Sequence, residues 1–524
     1  MRAVSRGARY LVTTDRGDGA GRRLARRTGG LLLGHGLFAL LLLGACGLRW
    51  TAIRGFPSML LFGDSPTYLR TALDDTPSQL RPGGYSIFLR LLRPFHDFTV
   101  VLTVQHALGL LAGTVVYALV WRGVRAAWPG RIWVPGLVAA PAAVPVLYDA
   151  YVVQLEHMLL SDSLFTCMLV LGVAVIMWRR RMPWWAGALT GLIFSCAALV
   201  RSVGLPMLAV ALVCMAARRA GWRPVAAAVG AAVFPIAAYM TWFHSAYGTY
   251  ALTSTDKIWL YGRTVDFAKC TVIKPRPEVA ILCRDGLPRD PAVAPAFQAL
   301  WGEDSGFAKL PARLYDPQAN ELAGEFATAA ITKQPGDYVK VIWRDTFRAF
   351  EPGRAPYPTP DTAAEYEFPV GASIRDREAV LGRMYGGSSA AARVVEPYGQ
   401  TMRDYQDWAY LPGPALGAFM AIGLAGVLLR ARRFGGDVLL PWSTALALLV
   451  VPAATADFDY RYVLPAIPFA MLAAGLTFAF RPSRRATTPA PEAAKVSLLK
   501  AEPSPAEGAP ASAGGAINRG PEST

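Results

Sequence analysis

The sequence predicts an all-α polytopic membrane protein, a transmembrane bundle of about ten helices with a soluble insertion outside the membrane. Three observations lead there. Apolar residues make up 53% of the 524-residue chain and charged residues only 17%, against about 25% charged in a typical soluble protein. The apolar residues are gathered into blocks such as Gly30 to Gly47, Met158 to Trp178, Val225 to Phe243 and Leu411 to Leu429. Such blocks approach or reach the roughly 20 residues that cross a bilayer. Arg residues cluster beside the blocks. A net charge of +16 would point to nucleic acid in a soluble protein, but here it marks topology.

The spans are expected near 29–48, 98–121, 132–148, 158–178, 184–200, 203–217, 224–243, 411–429, 438–455 and 462–480. Arg22, Arg23, Arg26 and Arg27 precede the first, which puts the tail 1–28 in the cytoplasm. Every second gap then carries Arg: Arg122, Arg125 and Arg131; Arg179 to Arg181; Arg218, Arg219 and Arg223; Arg430, Arg432 and Arg433; Arg481, Arg484 and Arg485. Positive-inside sorting of an even number of spans gives this alternation, with both termini cytoplasmic. The first apolar run is longer than a signal-peptide core and has no clear cleavage site after it, so it reads as a retained span. The transmembrane core covers 29–243 and 411–480, with outward loops 49–97 and 244–410. The larger loop reads as a small mixed α/β or irregular domain. The tail 481–524, rich in Ala, Pro, Glu and Ser, reads as disordered and cytoplasmic.

Six cysteines are too few for a disulfide scaffold. Cys270 and Cys283 fall together in the large outward loop, where an oxidising exterior favours a disulfide. There is no P-loop, Rossmann glycine pattern, HExxH or CxxC, which argues against an ATP-driven pump and leaves no readable zinc site.

Ionisable residues near a bilayer core are costly and are kept mostly for function. Four places carry them at the outward ends of the spans. In "LLFGDSPTYLRTALDD", Asp64 is either a general base toward a hydroxyl or the N-cap of a helix beginning at Pro66. In "QLRPGGYSIFLRLLRPFHD", Tyr85, Phe88, Leu89 and Leu92 share one helical face and Ser86, Arg90, Arg93 and Asp97 another. That pattern is an interfacial helix, at whose start Arg81 and Tyr85 are placed to face a pocket. In "YDAYVVQLEHMLLSDSLF", Glu156, His157 and Asp162 mark the start of a span, with a helix expected from about Glu156. Arg201 lies between two short spans, and Asp457, Asp459, Arg461 and Tyr462 lead into the last one. Outward Arg runs against the topology bias. Arg201 and Arg461 are therefore candidates for binding an anion such as phosphate, with snorkelling as the alternative.

Taken in order, "GDSPTYL", "RPGGYSIFLRLL", "EHMLLSDSLF", "GLIFSCAALVRSVGLPML" and "RYVLPAIPF" resemble the lipid-carrier-dependent glycosyltransferases of the GT-C fold. That superfamily includes protein O-mannosyltransferases and lipid A aminoarabinose transferases. The resemblance covers the membrane core and leaves loop 244–410 unmatched. It implies a sugar donor on a polyprenyl phosphate and direct attack by an acceptor hydroxyl, with Asp64 as general base. Asp162 or Glu156 would be the second acidic site, binding acceptor or sugar. Arg201 and Arg461 would stabilise the leaving phosphate. The family often has a second acidic residue directly after the first; Ser65 stands there, which leaves the question of a divalent metal open.

The partners implied are membrane lipids, a polyprenyl-phosphate sugar and a glycan, lipid or protein acceptor, without nucleic acid. A composition rich in Arg, Ala and Gly fits a GC-rich bacterial genome and the plasma membrane of a cell envelope. The alternatives are a lipid or polysaccharide flippase, for which no internal repeat is found, and a non-catalytic scaffold. The small residues of "GPALGAFMAIGLAG" suit helix packing within one chain.

Overall fold

A computed structural model describes residues 18–179, 181–287, 289–310, 314–370 and 376–479. Residues 1–17 and the expected tail 481–524 lie outside the described residues. Among those described, every regular element is helical, apart from one isolated bridge between Leu60 and Met158.

The chain forms α1 (Asp18–Gly55), α2 (Ser65–Leu73), α3 (Gly84–Leu92), α4 (Phe98–Ala127), α5 (Val134–Tyr148) and α6 (Ala150–His157). It continues through α7 (Asp162–Trp178), α8 (Trp184–Val200), α9 (Gly204–Ala217) and α10 (Trp222–Tyr247). The insertion includes α11 (Asp256–Thr264), α12 (Pro317–Lys333) and α13 (Pro335–Arg348). The chain returns through α14 (Gly413–Leu429), α15 (Leu439–Thr455), the turn Tyr460–Val463 and α16 (Ile467–Thr477).

Each expected apolar segment coincides with a helix or a run of helices. By length and composition, Gly34–Gly55, α4, α10 and Gly436–Thr455 are long enough to cross a membrane. The pair α5–α6, bent by 49°, makes a fifth. The apolar helices α7, α8, α9 and α14 have no more than 17 residues, so each is about 25 Å long or less.

The bend has an identifiable cause. Asp149 stands between α5 and α6, and its Oδ1 accepts from the Tyr151 and Val152 amides, capping the new helix. Its Oδ2 accepts from the Leu411 amide at 2.7 Å, which ties the bend to the start of α14.

Small residues bring helices into close contact. Gly187 and Gly191, four apart on α8, lie against the backbone of Pro224 and Ala228 on α10. A Cβ on Gly191 would sit 1.9 Å from the Ala228 carbonyl oxygen. On α14, Gly423 and Gly426 meet Ala473 and Thr477 of α16, so that run packs within the chain.

The Arg-rich turns meet at one end of the bundle. Arg218 pairs with Asp437 at 3.0 Å, and the Trp128 indole donates to the Phe478 carbonyl. Arg179 and Arg181 share a cavity with Arg218 and Arg219. Exposed Trp128, Trp133, Trp178, Trp184, Trp185 and Trp222 cluster in the same turns. The opposite end gathers loop 56–97, the 158–161 and 201–203 turns, the insertion and residues 456–459. The Ser254 amide there donates to the Gln79 carbonyl, and the Leu159 amide to that of Leu60.

The described part of the insertion holds helices joined by irregular stretches and no strand, which corrects the mixed α/β expectation. Two of its longer helices, α12 and α13, open on Pro at the first turn. The insertion closes on a core of Ile258, Tyr261, Leu300, Phe307, Leu322 and Phe326. Cys270 and Cys283 form a disulfide there, with Cα atoms 6.1 Å apart.

Replacing Gly191 by Val should force α8 away from α10 at a cost of about 1–3 kcal/mol. A lowered melting temperature in detergent checks this, and an unchanged one would contradict the contact.

Candidate active site

Asp64 occupies the N-cap position of α2, yet its side chain makes no capping bond. Its Oδ1 accepts instead from Arg81 Nη2 at 2.8 Å and its Oδ2 from Arg461 Nη2 at 3.1 Å. The neighbouring turn is closed by Ser65, whose hydroxyl accepts from the Phe62 amide and donates to the Leu159 carbonyl. Asp64 is thereby left to the two guanidiniums.

Asp162 opens α7 and is buried; its Oδ1 accepts from Arg201 Nη1. Arg461 Nε lies 3.8 Å from the same oxygen, so Arg461 stands between the two carboxylates. Its guanidinium is also held near the rings of Phe62 and Tyr462, at 5.0 and 5.4 Å. Tyr462 in turn lies 5.4 Å from the Arg201 guanidinium. The turn bearing Arg461 is capped by Asp459, which accepts from the Arg461 amide and from the Tyr366 hydroxyl at 2.7 Å.

Arg81 reaches the cluster because the chain after it is closely packed. A Cβ on Gly84 would lie 2.6 Å from the Leu199 carbonyl, and the Gly83 amide donates to the Tyr239 hydroxyl. The Arg81 guanidinium sits 5.1 Å from the ring of Trp259 on α11. Trp259, a residue of the unmatched insertion, had no motif to mark it.

Arg81, Arg201 and Tyr462 face a cavity of about 390 Å³. Asp256 and Trp259 of the insertion form part of its polar wall, and Val203, Pro206, Leu448 and Val451 form an apolar side between α9 and α15. Three guanidiniums thus meet two carboxylates, beside an apolar trough. Buried Arg461 Nε and Nη1 and Asp162 Oδ2 make no hydrogen bond.

Burial raises the Asp64 pKa, but the charges of Arg81, Arg461 and Arg201 outweigh it and bring the value to about 2. As held here, Asp64 is an ionised acceptor and a weak base.

Two residues expected at the site are placed elsewhere. Tyr85 is fully buried and donates its hydroxyl to Gln105 Oε1 at 2.6 Å, because α3 buries Tyr85, Ser86 and Leu89. The outward face of that segment is Ile87, Leu91 and Phe95, which differs from the expected partition. Glu156 lies on the last turn of α6 rather than at the start of a helix. Arg49 grips both of its oxygens, at 2.9 and 2.8 Å, and His106 Nδ1 is 2.8 Å away. His106 continues to His157 at 3.2 Å, and His157 donates to the Phe56 carbonyl. Glu156 and Asp162 share only a narrow cavity of about 40 Å³. Arg49 lay in plain view beside the first apolar block, and its charge was the signal for this network. Among the described residues, no group of three or more His, Cys, Asp or Glu is arranged to hold a metal ion.

No family model matches the chain, and no curated protein matches it. Among solved structures it is similar to the crystal structure of ArnT from Cupriavidus metallidurans bound to undecaprenyl phosphate. Identity is 13% over 85% of this chain and 78% of that one, with a TM-score of 0.30.

Asp457, just outside α15, accepts from the Tyr357 hydroxyl at 2.7 Å and lies 3.5 Å from Arg263. Burial raises its pKa from 3.8 to about 6, against the lowering pull of Arg263. The folded chain then holds a proton that the unfolded chain has released. This contribution to stability should fall as pH rises from about 4 to about 6 and then level off. Thermal melts across that range should show a steeper decline in the wild type than in Asp457→Asn; parallel curves would refute it. Asp64 contributes in the opposite sense and in a lower window. Its stabilisation is complete above about pH 4 and is lost as pH falls through about 2.

Proposed function

We propose that this protein is a polytopic membrane glycosyltransferase. It moves a sugar from a polyprenyl-phosphate donor to an envelope acceptor on the outer face of the plasma membrane, with both termini cytoplasmic. The observation that carries the reading is the convergence of Asp64, Asp162, Arg81, Arg201 and Arg461 beside a cavity that is cationic at one end and apolar along one side. An anionic head with a lipid tail matches both parts. Sidedness is supported by the Arg-rich turns at the other end of the bundle and their exposed Trp residues.

In this reading the acceptor hydroxyl attacks the anomeric carbon, and the bond from that carbon to the lipid phosphate breaks. The bonding electrons leave with the phosphate oxygen, and the hydroxyl proton passes to Asp64. Arg201 and Arg461 stabilise the charge growing on the phosphate, with Tyr462 and Arg81 lining its seat. Donor binding has a second consequence. An incoming phosphate draws Arg81 and Arg461 away from Asp64, which raises the basicity of that carboxylate when the acceptor needs it. Asp162 keeps Arg201 oriented. Cys270 and Cys283 brace the insertion, whose Trp259 and Asp256 wall the cavity.

The test is transfer of a radiolabelled sugar from undecaprenyl-phosphate donors to membrane extracts. Asp64→Asn should lower the rate roughly 100- to 10,000-fold. Equal rates would remove the base assignment. Arg201→Ala and Arg461→Ala should weaken donor binding as well as turnover. The bent α5–α6 pair is a feature that a lipid flippase would share. Donor crossing the bilayer with no glycosylated product would favour that reading.

A further inference from the structure

Helix α13 (Pro335–Arg348) carries an exposed apolar stripe. Val339, Trp343 and Phe347 are 49%, 48% and 59% exposed and recur every four residues, so they share one face. The other side of the helix is buried through Val341, Asp345 and Thr346. Lone exposed apolar residues are ordinary, but three large ones aligned on one helix mark a contact.

The position of α13 says what it contacts. The Tyr338 hydroxyl donates to the Ala454 carbonyl at 2.8 Å, one residue before the end of α15. Just beyond the other end of α13, Phe350 packs on Gly417, and the Phe350–Glu351 backbone packs on Gly413 at the start of α14. The helix therefore lies across the ends of two apolar helices, at the level where both leave the apolar zone. Exposed Trp408, just before α14, stands close to the same level in the chain. Trp is enriched at the border between lipid and water.

Charge fits the same height. Beside the stripe, Lys340 and Arg344 join Lys269, Arg284 and Arg289 around an open cleft of about 580 Å³. Against these five basic groups stand three acids, Asp266, Asp285 and Asp337, of which Asp266 is already paired with Arg263 and Arg344. The cleft is left cationic, which suits the phosphates of lipid headgroups.

We infer that α13 is an interfacial helix that seats the insertion on the outer leaflet of the bilayer. Val339, Trp343 and Phe347 enter the acyl border, and the cationic cleft stands at the headgroups. The inference rests on the membrane reading above, but it can fail independently of it.

The experiment places one nitroxide label at a time through Trp343→Cys, Phe347→Cys, Leu424→Cys on α14, or Val272→Cys elsewhere in the insertion. The background is Cys46→Ala, since Cys46 is an exposed free thiol. The full chain is studied in nanodiscs of phosphatidylcholine and phosphatidylglycerol. Labels at 343 and 347 should collide more often with oxygen, which partitions into lipid, than with a water-soluble nickel chelate, as at 424. Label 272 should show the reverse. Lipid exposure at 424 with water exposure at 343 and 347 would overturn the inference and leave the membrane reading standing. Water exposure at 424 would overturn both. Shielding of 343 and 347 from both reagents would mean that a protein surface, such as a second copy, covers the stripe, which also overturns it.

Discussion

Asp64 holds Arg81 with one oxygen and Arg461 with the other, which ties the first loop of the chain to the turn before α16. Burying such charges costs several kcal/mol per ion even after relaxation, and removing one partner costs about 3–5 kcal/mol more. The compensation is incomplete. Arg461 keeps two buried nitrogens without a hydrogen bond. A fold that needed only a clasp between these segments would gain more from apolar packing. Under the proposed function, the unsatisfied donors beside an apolar trough would be completed by the donor phosphate.

The clasp is geometrically possible because the segments bearing it are fixed from behind. Gln105 donates to the Glu156 and Met158 carbonyls, and Arg49 closes on Glu156 from α1. These bonds lock the approach to α7, at whose first residue Asp162 stands. Asp149 does the same for the α5–α6 bend and the entry to α14. The polar groups between the spans thus fall into two sets. One set, around Glu156, is satisfied internally. The other, around Arg461, is left partly unsatisfied next to a cavity. The difference separates a structural network from the candidate site, even though both are built from the same residue types.

The same difference shows where sequence reasoning reached and where it stopped. Apolar runs and Arg-rich turns are local signals, so the apolar segments emerge as helices and the described Arg turns meet at one end. Asp64, Arg201 and Arg461 were legible because charge at the end of an apolar block is expensive wherever it points. Which charges meet was not legible. Asp64 and Arg461 lie 397 positions apart, and Glu156 looked equivalent to Asp162 until Arg49 was seen to neutralise it. Tyr85 was misplaced because its helix buries Ser86 along with Tyr85, so the polar face could not be read from polarity alone. The insertion was opaque for another reason. Its helices are short and amphipathic, with many Pro and Gly between them, and periodicity is weak over so few turns.

A carboxylate held at a pKa of about 2 accepts a proton from a hydroxyl poorly, so the resting geometry resists the chemistry proposed for it. Under the proposed function, that resistance acts as a gate. While Arg81 and Arg461 rest on Asp64, the base is masked and water at the site is not activated. The donor's phosphodiester, with one negative charge on two free oxygens, would compete for the same donors, and the second charge that appears on the phosphate as the sugar leaves would strengthen its hold on them. Its arrival exchanges one anion for another at the guanidiniums and frees the carboxylate. Departure of the lipid phosphate would let the clasp reform. The interaction that holds the first loop to the turn before α16 would then also couple donor occupancy to base strength, with no moving domain required.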